Sequence, residues 1–223
     1  MSEATKGVIV EFDFAVLNGA ELLYDTTRRF LKELDGIAFD LPTEATYLAG
    51  GNYQGGLAGY FAAVKTKKTA AKAARDLAEA FNRAVSANVS AAVTPAFRNF
   101  VKTVSDAGVK VVIATRADAE SAQAAFASLL GENVVLYPET SVCYGTVKWD
   151  AWRRASALNR IRNVSALAVT GSGLGVRSAL LAGMGSLAVM NDHVAYQDFG
   201  GADGVVNRLD AAAARKALEL LRA

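Results

Sequence analysis

Short apolar runs alternate with helix-like segments along the second half of this 223-residue chain. The runs are rich in β-branched residues, and the segments between them repeat their apolar positions at helical spacing. This alternation is what a parallel sheet needs when crossover helices cover its faces. The sequence therefore predicts an α/β fold with a Rossmann-like parallel sheet. The predicted strands are residues 8–12, 109–114, 133–137, 164–170 and 186–190.

Several helix ends in this half carry local signals. Thr94 can cap a helix whose first position is Pro95, and Gly108 can end it. Asp210 can cap the last helix, with Leu209 ahead of it as a hydrophobic staple. Between them, helices are predicted over residues 117–130, 148–159 and 174–182.

The segment from residue 18 to about 88 differs, because it contains no strong strand pattern. Apolar spacing predicts helices near 23–34 and 69–87. Between these, residues 50–61 contain five glycines, which indicates either a mobile loop or a close approach of backbone. A strand, a helical insertion and then β-α units describe a sheet domain with a small helical cap. We assign residues 1–17 and 90–223 to the core and residues 18–89 to the cap.

Composition excludes several classes of function. The formal net charge is +2, too small for a basic surface that would bind nucleic acid. One Cys and one His exclude an internal disulfide and a clustered Cys/His zinc site. The N-terminus does not read as a secretion signal, and no apolar run is long enough to span a membrane. We therefore expect a cytoplasmic protein that binds neither nucleic acid nor membrane.

Four ordered segments resemble the motifs of the haloacid dehalogenase-like (HAD) hydrolases. VIVEFDFAVLNG (8–19) resembles the first motif, and residues 95–116, 144–155 and 169–184 are similar to the regions of the second, third and fourth. DFGGADGVVNRL (198–209) resembles the tail of phosphoglycolate-phosphatase-like members, in which an Ala-Asp pair precedes the last strand. The resemblance covers nearly the whole chain and implies a HAD-like core with the insertion in the position of the helical cap.

The motif positions that would carry phosphatase chemistry are largely altered. In the family, the nucleophilic Asp corresponds to Glu11 here, and the acid/base Asp is retained as Asp13. Without gaps, Thr146 stands where the family has its Lys, and Lys148 follows two residues later. The fourth-motif acid corresponds to Gly171. We take Glu11, Asp13 and Lys148 as vestigial catalytic candidates.

These changes fall first on the metal. Mg²⁺ needs near-octahedral oxygen ligands, and phosphoryl transfer depends on its charge. With an acid lost at Gly171 we expect no metal or other cofactor, and the favoured hypothesis is a catalytically degenerate HAD-like protein. The alternative is an active hydrolase on a small phosphorylated substrate, with Glu11 and Asp13 holding Mg²⁺ and acting as nucleophile or base.

Binding could outlast catalysis. Thr115, which matches the phosphate-binding residue of the second motif, forms a candidate anion pocket with Arg116 and Ser172 beside helix starts. Simpler roles remain open: Glu11 as an ion-pair partner of Lys148 or Arg116, Asp13 as a turn residue, and Thr115 as a helix cap. Expected partners are a small anionic ligand, a protein, or a second copy of the chain.

Overall fold

The computed structural model describes residues 5–49, 52–137 and 148–221, with only the backbone described for 148 and 149. The strands are β1 (Gly7–Glu11), β2 (Lys110–Ala114), β3 (Val134–Tyr137), β4 (Ala166–Thr170), β5 (Gly185–Val189) and β6 (Gly204–Val206). The helices are α1 (Phe12–Ala15), α2 (Gly19–Asp35), α3 (Leu41–Tyr47), α4 (Tyr53–Ala63), α5 (Ala70–Ala92), α6 (Pro95–Asp106), α7 (Ala119–Phe126), α8 (Lys148–Leu158), α9 (Gly173–Ala182) and α10 (Ala211–Leu220).

The six strands form one sheet in the order β3-β2-β1-β4-β5-β6, and every neighbouring pair is parallel. This is the strand order of a Rossmann-like doubly wound sheet. The predicted α/β class and parallel sheet are therefore confirmed. One predicted strand is shorter than expected, because Asn163–Ser165 forms a 3₁₀ turn and β4 begins at Ala166.

Successive strand residues face opposite sides of the sheet, as the pleat requires. In β1, Val8 and Val10 belong to the larger apolar cluster, whereas Ile9 belongs to a second cluster on the other face. The second cluster includes Trp152 of α8 and Ala179 of α9. Because both faces are covered, the strands read as continuous apolar runs in the sequence.

The predicted helix caps are present. The Thr94 hydroxyl accepts a hydrogen bond from the amide of Phe97, with Pro95 at the first helical position of α6. The Asp210 carboxylate accepts hydrogen bonds from two amides in the first turn of α10. The sequence locates these helix starts well because a cap depends on residues only two or three positions apart.

Helices α2 to α5 form what we call the helical insert, and its glycine-rich part is not a loop where the structure describes it. Asn52 caps α4, and Gly56 lies so close to α3 that a Cβ there would be 1.9 Å from the carbonyl oxygen of Tyr47. The close-approach interpretation thus holds for residues 52–61. Gly50 and Gly51 lie outside the described residues.

The helical insert packs directly on the sheet domain. Phe81 of α5 is fully buried, its ring lies 6.1 Å from that of Phe14, and one continuous apolar cluster includes residues of both parts. The division into a core and a separate cap at residues 18–89 stays a prediction. Within the described residues, no helix has the length and apolar character that crossing a bilayer requires.

Candidate functional site at the carboxyl edge of the sheet

The candidate site lies at the carboxyl ends of the three central strands. Glu11 ends β1, Thr170 ends β4, and Thr115 directly follows β2. Because connections from β1 and β4 leave the sheet in opposite directions, a crevice opens at this point of such folds, and ligands bind there. The sequence-predicted acids are therefore placed where a functional site is expected in this topology.

Asp13 is fully buried on the single turn of α1. Its two carboxylate oxygens accept hydrogen bonds from the Thr115 hydroxyl at 2.7 Å and from the Arg116 amide at 2.8 Å. Two predicted anion-binding residues are thus brought together, but they hold a carboxylate of the chain itself. Thr115 does not cap the next helix, because Asp118 is the N-cap of α7.

Glu11 lies two residues before Asp13 and is also buried, but its hydrogen-bond partner is on β4 and not after β2. The Thr170 hydroxyl donates a hydrogen bond to Oε2 of Glu11 and accepts one from the amide of Ser172 at 3.3 Å. Sequence reasoning assigned no role to Thr170. One signal could have identified Thr170: it ends a predicted strand and directly precedes Gly171. In the structure that strand, β4, pairs with β1.

Backbone fills the space beside Gly171, the position that the resemblance matches to the fourth-motif acid. A Cβ on Gly171 would lie 2.0 Å from the carbonyl oxygen of Phe14 and 3.3 Å from the amide nitrogen of Ala15. Real Cβ atoms do not approach other atoms so closely, so any side chain here would displace α1. The path of the chain that follows β1 therefore leaves no room for a side chain at Gly171.

Ser172 caps α9, where its hydroxyl accepts a hydrogen bond from the amide of Gly175 at 3.0 Å. The amide of Gly173, the residue after Ser172, donates a hydrogen bond to Oε1 of Gln197 at 2.9 Å. Two donors of the predicted anion pocket are thus already engaged. Ser172 is connected to Glu11 through Thr170, whereas Thr115 and Arg116 bind Asp13.

Two residues of the third-motif region have side chains that the structure does not describe. Lys148 begins α8, but only its backbone is described, and Thr146 lies outside the described residues altogether. Whether Lys148 pairs with Glu11 therefore stays a prediction.

The residues that the structure describes do not fit the Mg²⁺ site that the resemblance would imply. Mg²⁺ requires several oxygen ligands in near-octahedral positions. Across residues 5–49, 52–137 and 148–221, no three His, Cys, Asp or Glu side chains are grouped so that they could share a metal ion. At the strand ends, Asp13 and Glu11 are bonded to Thr115 and Thr170, and Gly171 has no room for a third acid.

A second buried polar group joins the helical insert to the core. Nε2 of His193, which follows β5, lies 3.1 Å from Oε2 of Glu44 on α3, and both side chains are nearly buried. Burial raises the pKa of the Glu44 carboxyl, and the facing imidazole lowers it only in part. Sequence analysis missed this pair because its members are 149 residues apart and show no motif.

Comparison with known proteins gives a fold-level answer. No family model matches the sequence, and no curated protein matches it significantly. Solved structures do match. β-Phosphoglucomutase from Clostridium difficile is 12% identical, with a TM-score of 0.70, over 98% of this chain and 97% of its own. A phosphonoacetaldehyde hydrolase-like protein from Oleispira antarctica is 13% identical, with a TM-score of 0.70, over 99% and 94%.

A third match is a protein from Bacteroides fragilis described as a haloacid dehalogenase-like hydrolase, 10% identical with a TM-score of 0.63 over 92% of this chain and 98% of its own. Near-complete coverage of both chains means that the whole architecture is shared and not only the sheet. At these identities the likeness speaks for the fold and not for the activity. The chain has the fold of the HAD-like hydrolases, as its four motif-like segments led us to expect.

Proposed function

We propose that this chain is a HAD-fold protein that has lost metal-dependent phosphoryl transfer and acts by binding a ligand or a partner. The observation that carries the proposal is the contact between Gly171 and the Phe14 carbonyl, which leaves no space for an acid at the fourth-motif position. Without that acid, too little negative charge remains to hold a divalent cation, and the barrier to phosphoryl transfer is higher by several kcal/mol.

The hydrogen bonds of the two remaining acids support the same proposal. Asp13 is held by the Thr115 hydroxyl and the Arg116 amide, and Glu11 by the Thr170 hydroxyl. These donors stabilise carboxylates in place without a metal ion, as charge-assisted bonds do. Asp13 also occupies the two donors that a phosphate would need, so an anion can bind to Thr115 and Arg116 only after Asp13 has moved. A binding role for the wider surface, for a protein or a second copy, stays part of the proposal.

A turnover assay tests the proposal. Purified protein is incubated with Mg²⁺ and a panel of phosphate monoesters, and phosphate release is compared with that of the Glu11→Gln variant and of samples containing EDTA. We expect the same background rate in all three. A saturable, Mg²⁺-dependent rate that Glu11→Gln abolishes would establish the active-hydrolase alternative instead.

We also propose, from the sequence alone, that the protein is located in the cytoplasm.

A further inference from the structure

A small cavity lies where the helical insert meets the core. Its volume is about 50 Å³. Each water needs roughly 10–15 Å³ of such space, so the cavity has room for a ligand group of about three to five non-hydrogen atoms. Its lining includes Phe14, Glu44, Tyr53, Ser172, Tyr196 and Gln197.

Glu44 carries the charge of the described cavity lining, whose other polar residues, Tyr53, Ser172, Tyr196 and Gln197, are neutral and can both donate and accept hydrogen bonds. Glu44 contributes a carboxylate, and the side-chain oxygens of Ser172 and Gln197 each already accept one amide hydrogen bond. Among the described lining residues there is no Lys or Arg. A cation that donates hydrogen bonds matches the Glu44 carboxylate, whereas an anion would face that carboxylate without a compensating cation.

The charge of Glu44 is incompletely balanced by the protein. Its side chain is 8% exposed, and the imidazole of His193 faces one of its oxygens. Because burial outweighs the imidazole, the pKa of Glu44 is raised and its ionised form is disfavoured. A positive charge in the adjacent cavity would favour that ionised form. The aromatic residues Phe14 and Tyr53, both nearly buried, add side chains of the kind that attract cations.

We propose that this cavity binds a small protonated primary amine, or the ammonium end of a larger one, through Glu44. This inference rests on the proposed function in one point: it names a class of ligand for the binding role proposed above. The expected anionic ligand concerned the strand ends near Thr115. The cavity proposed here is a second site, and it prefers a cation. The ligand donates hydrogen bonds to Glu44 and to the side-chain oxygen of Gln197.

Titration with methylammonium chloride tests the inference, because methylammonium has two non-hydrogen atoms and fits the volume. Sodium chloride at equal ionic strength controls for screening, and tetramethylammonium controls for charge without N–H donors. Two readouts are recorded: the thermal unfolding midpoint and the imidazole NMR signals. The chain has a single His, so these signals belong to His193. We expect methylammonium alone to give saturable changes in both readouts, with the same midpoint concentration.

Variants locate the effect. Glu44→Gln keeps the shape but removes the charge, and we expect it to abolish the saturable response. Glu21→Gln changes an exposed acid on α2 and should respond as the wild type does. If Glu44→Gln does not fold, Ala20→Val partly fills the cavity without touching the charge and should also abolish the response.

Three results would overturn the amine site: equal effects of methylammonium and sodium, a full response in Glu44→Gln or Ala20→Val, or His193 shifts caused by inorganic phosphate instead. None of them bears on phosphate-ester turnover. Failure of the amine site and failure of the proposed loss of catalysis are therefore separate results.

Discussion

Thr115 donates a hydrogen bond of 2.7 Å to Asp13, which joins the end of β2 to the turn after β1 across 102 residues of chain. The amide of Arg116 binds the other oxygen of the same carboxylate. Asp13 therefore occupies the Thr115 hydroxyl, which the family resemblance would assign to a bound phosphate, and the amide of the next residue. The Asp13 carboxylate thus takes the place that an anion would have beside Thr115 and Arg116.

Replacing Asp13 by Ala tests how much this contact stabilises the fold. The change leaves the buried Thr115 hydroxyl and the partly buried Arg116 amide without their charged acceptor, and hydrogen bonds to charged groups contribute about 1.5–3 kcal/mol each. We expect the free energy of unfolding in urea to fall by about 3 kcal/mol. Asp106→Ala, which removes an exposed pair with Lys102, should cost less than about 0.5 kcal/mol. Equal losses in the two variants would contradict a structural role for Asp13.

The same variant should acquire an anion site. With the Asp13 carboxylate removed, the Thr115 hydroxyl and Arg116 amide are available to an oxyanion of similar geometry. We expect inorganic phosphate to raise the thermal midpoint of Asp13→Ala at concentrations that leave the wild type unchanged, beyond the effect of chloride at equal ionic strength. Adding Thr115→Val to Asp13→Ala should remove the gain. A phosphate response that survives Thr115→Val would place the anion elsewhere.

Gly171→Ala tests the packing on which the proposed loss of catalysis depends. The new Cβ would overlap the Phe14 carbonyl oxygen, so α1 must shift, and we expect a loss of at least about 3 kcal/mol, at the upper end of overpacking costs. Urea unfolding measures it. Gly131→Ala is the matched control, because a Cβ there meets nothing within 4 Å. Gly171→Asp, the formal restoration of the motif acid, should be at least as destabilised and bring back no Mg²⁺-dependent hydrolysis.

A well-folded, fully stable Gly171→Ala protein would show that the turn after β1 adapts cheaply. In that case the fourth-motif acid was lost for a reason other than space, and Gly171→Asp would become a fair test of restored catalysis.

Glu44→Gln tests the buried pair at the boundary of the insert. The pKa of Glu44 is raised by burial above its ordinary 4.5, so the uncharged form favours the fold. That contribution is complete below pH 4.5 and is lost as pH rises through the raised folded pKa. We expect Glu44→Gln and wild type to be similar in stability near pH 4 and the variant to gain relative to wild type towards pH 7, measured by chemical unfolding at each pH.

Glu21→Gln, an exposed substitution on α2, should show no such pH-dependent difference from wild type. A Glu44→Gln variant that loses stability relative to wild type as pH rises would mean that the ionised carboxylate is stabilised in place, with the imidazole of His193 outweighing burial.

Much of the architecture was predictable from local sequence. The apolar runs identified β1 to β5, and the capping residues Thr94 and Asp210 marked the starts of α6 and α10. The apolar runs reflect a buried strand and the caps reflect bonds over two or three residues, so both signals lie within short stretches of chain. The motif resemblance predicted the acids at the end of β1 as site residues, and they lie at the edge of the sheet to which parallel strands bring their carboxyl ends.

The partners of those acids were decided by the tertiary structure alone. That Thr115 binds Asp13, that Thr170 binds Glu11 and that the Phe14 carbonyl closes the space at Gly171 all depend on how the turn of α1 leaves the sheet. The pairing of Glu44 with His193 likewise depends on where the insert rests. Hydrogen bonds and steric overlap change over less than 1 Å, a precision that residue type and spacing do not carry.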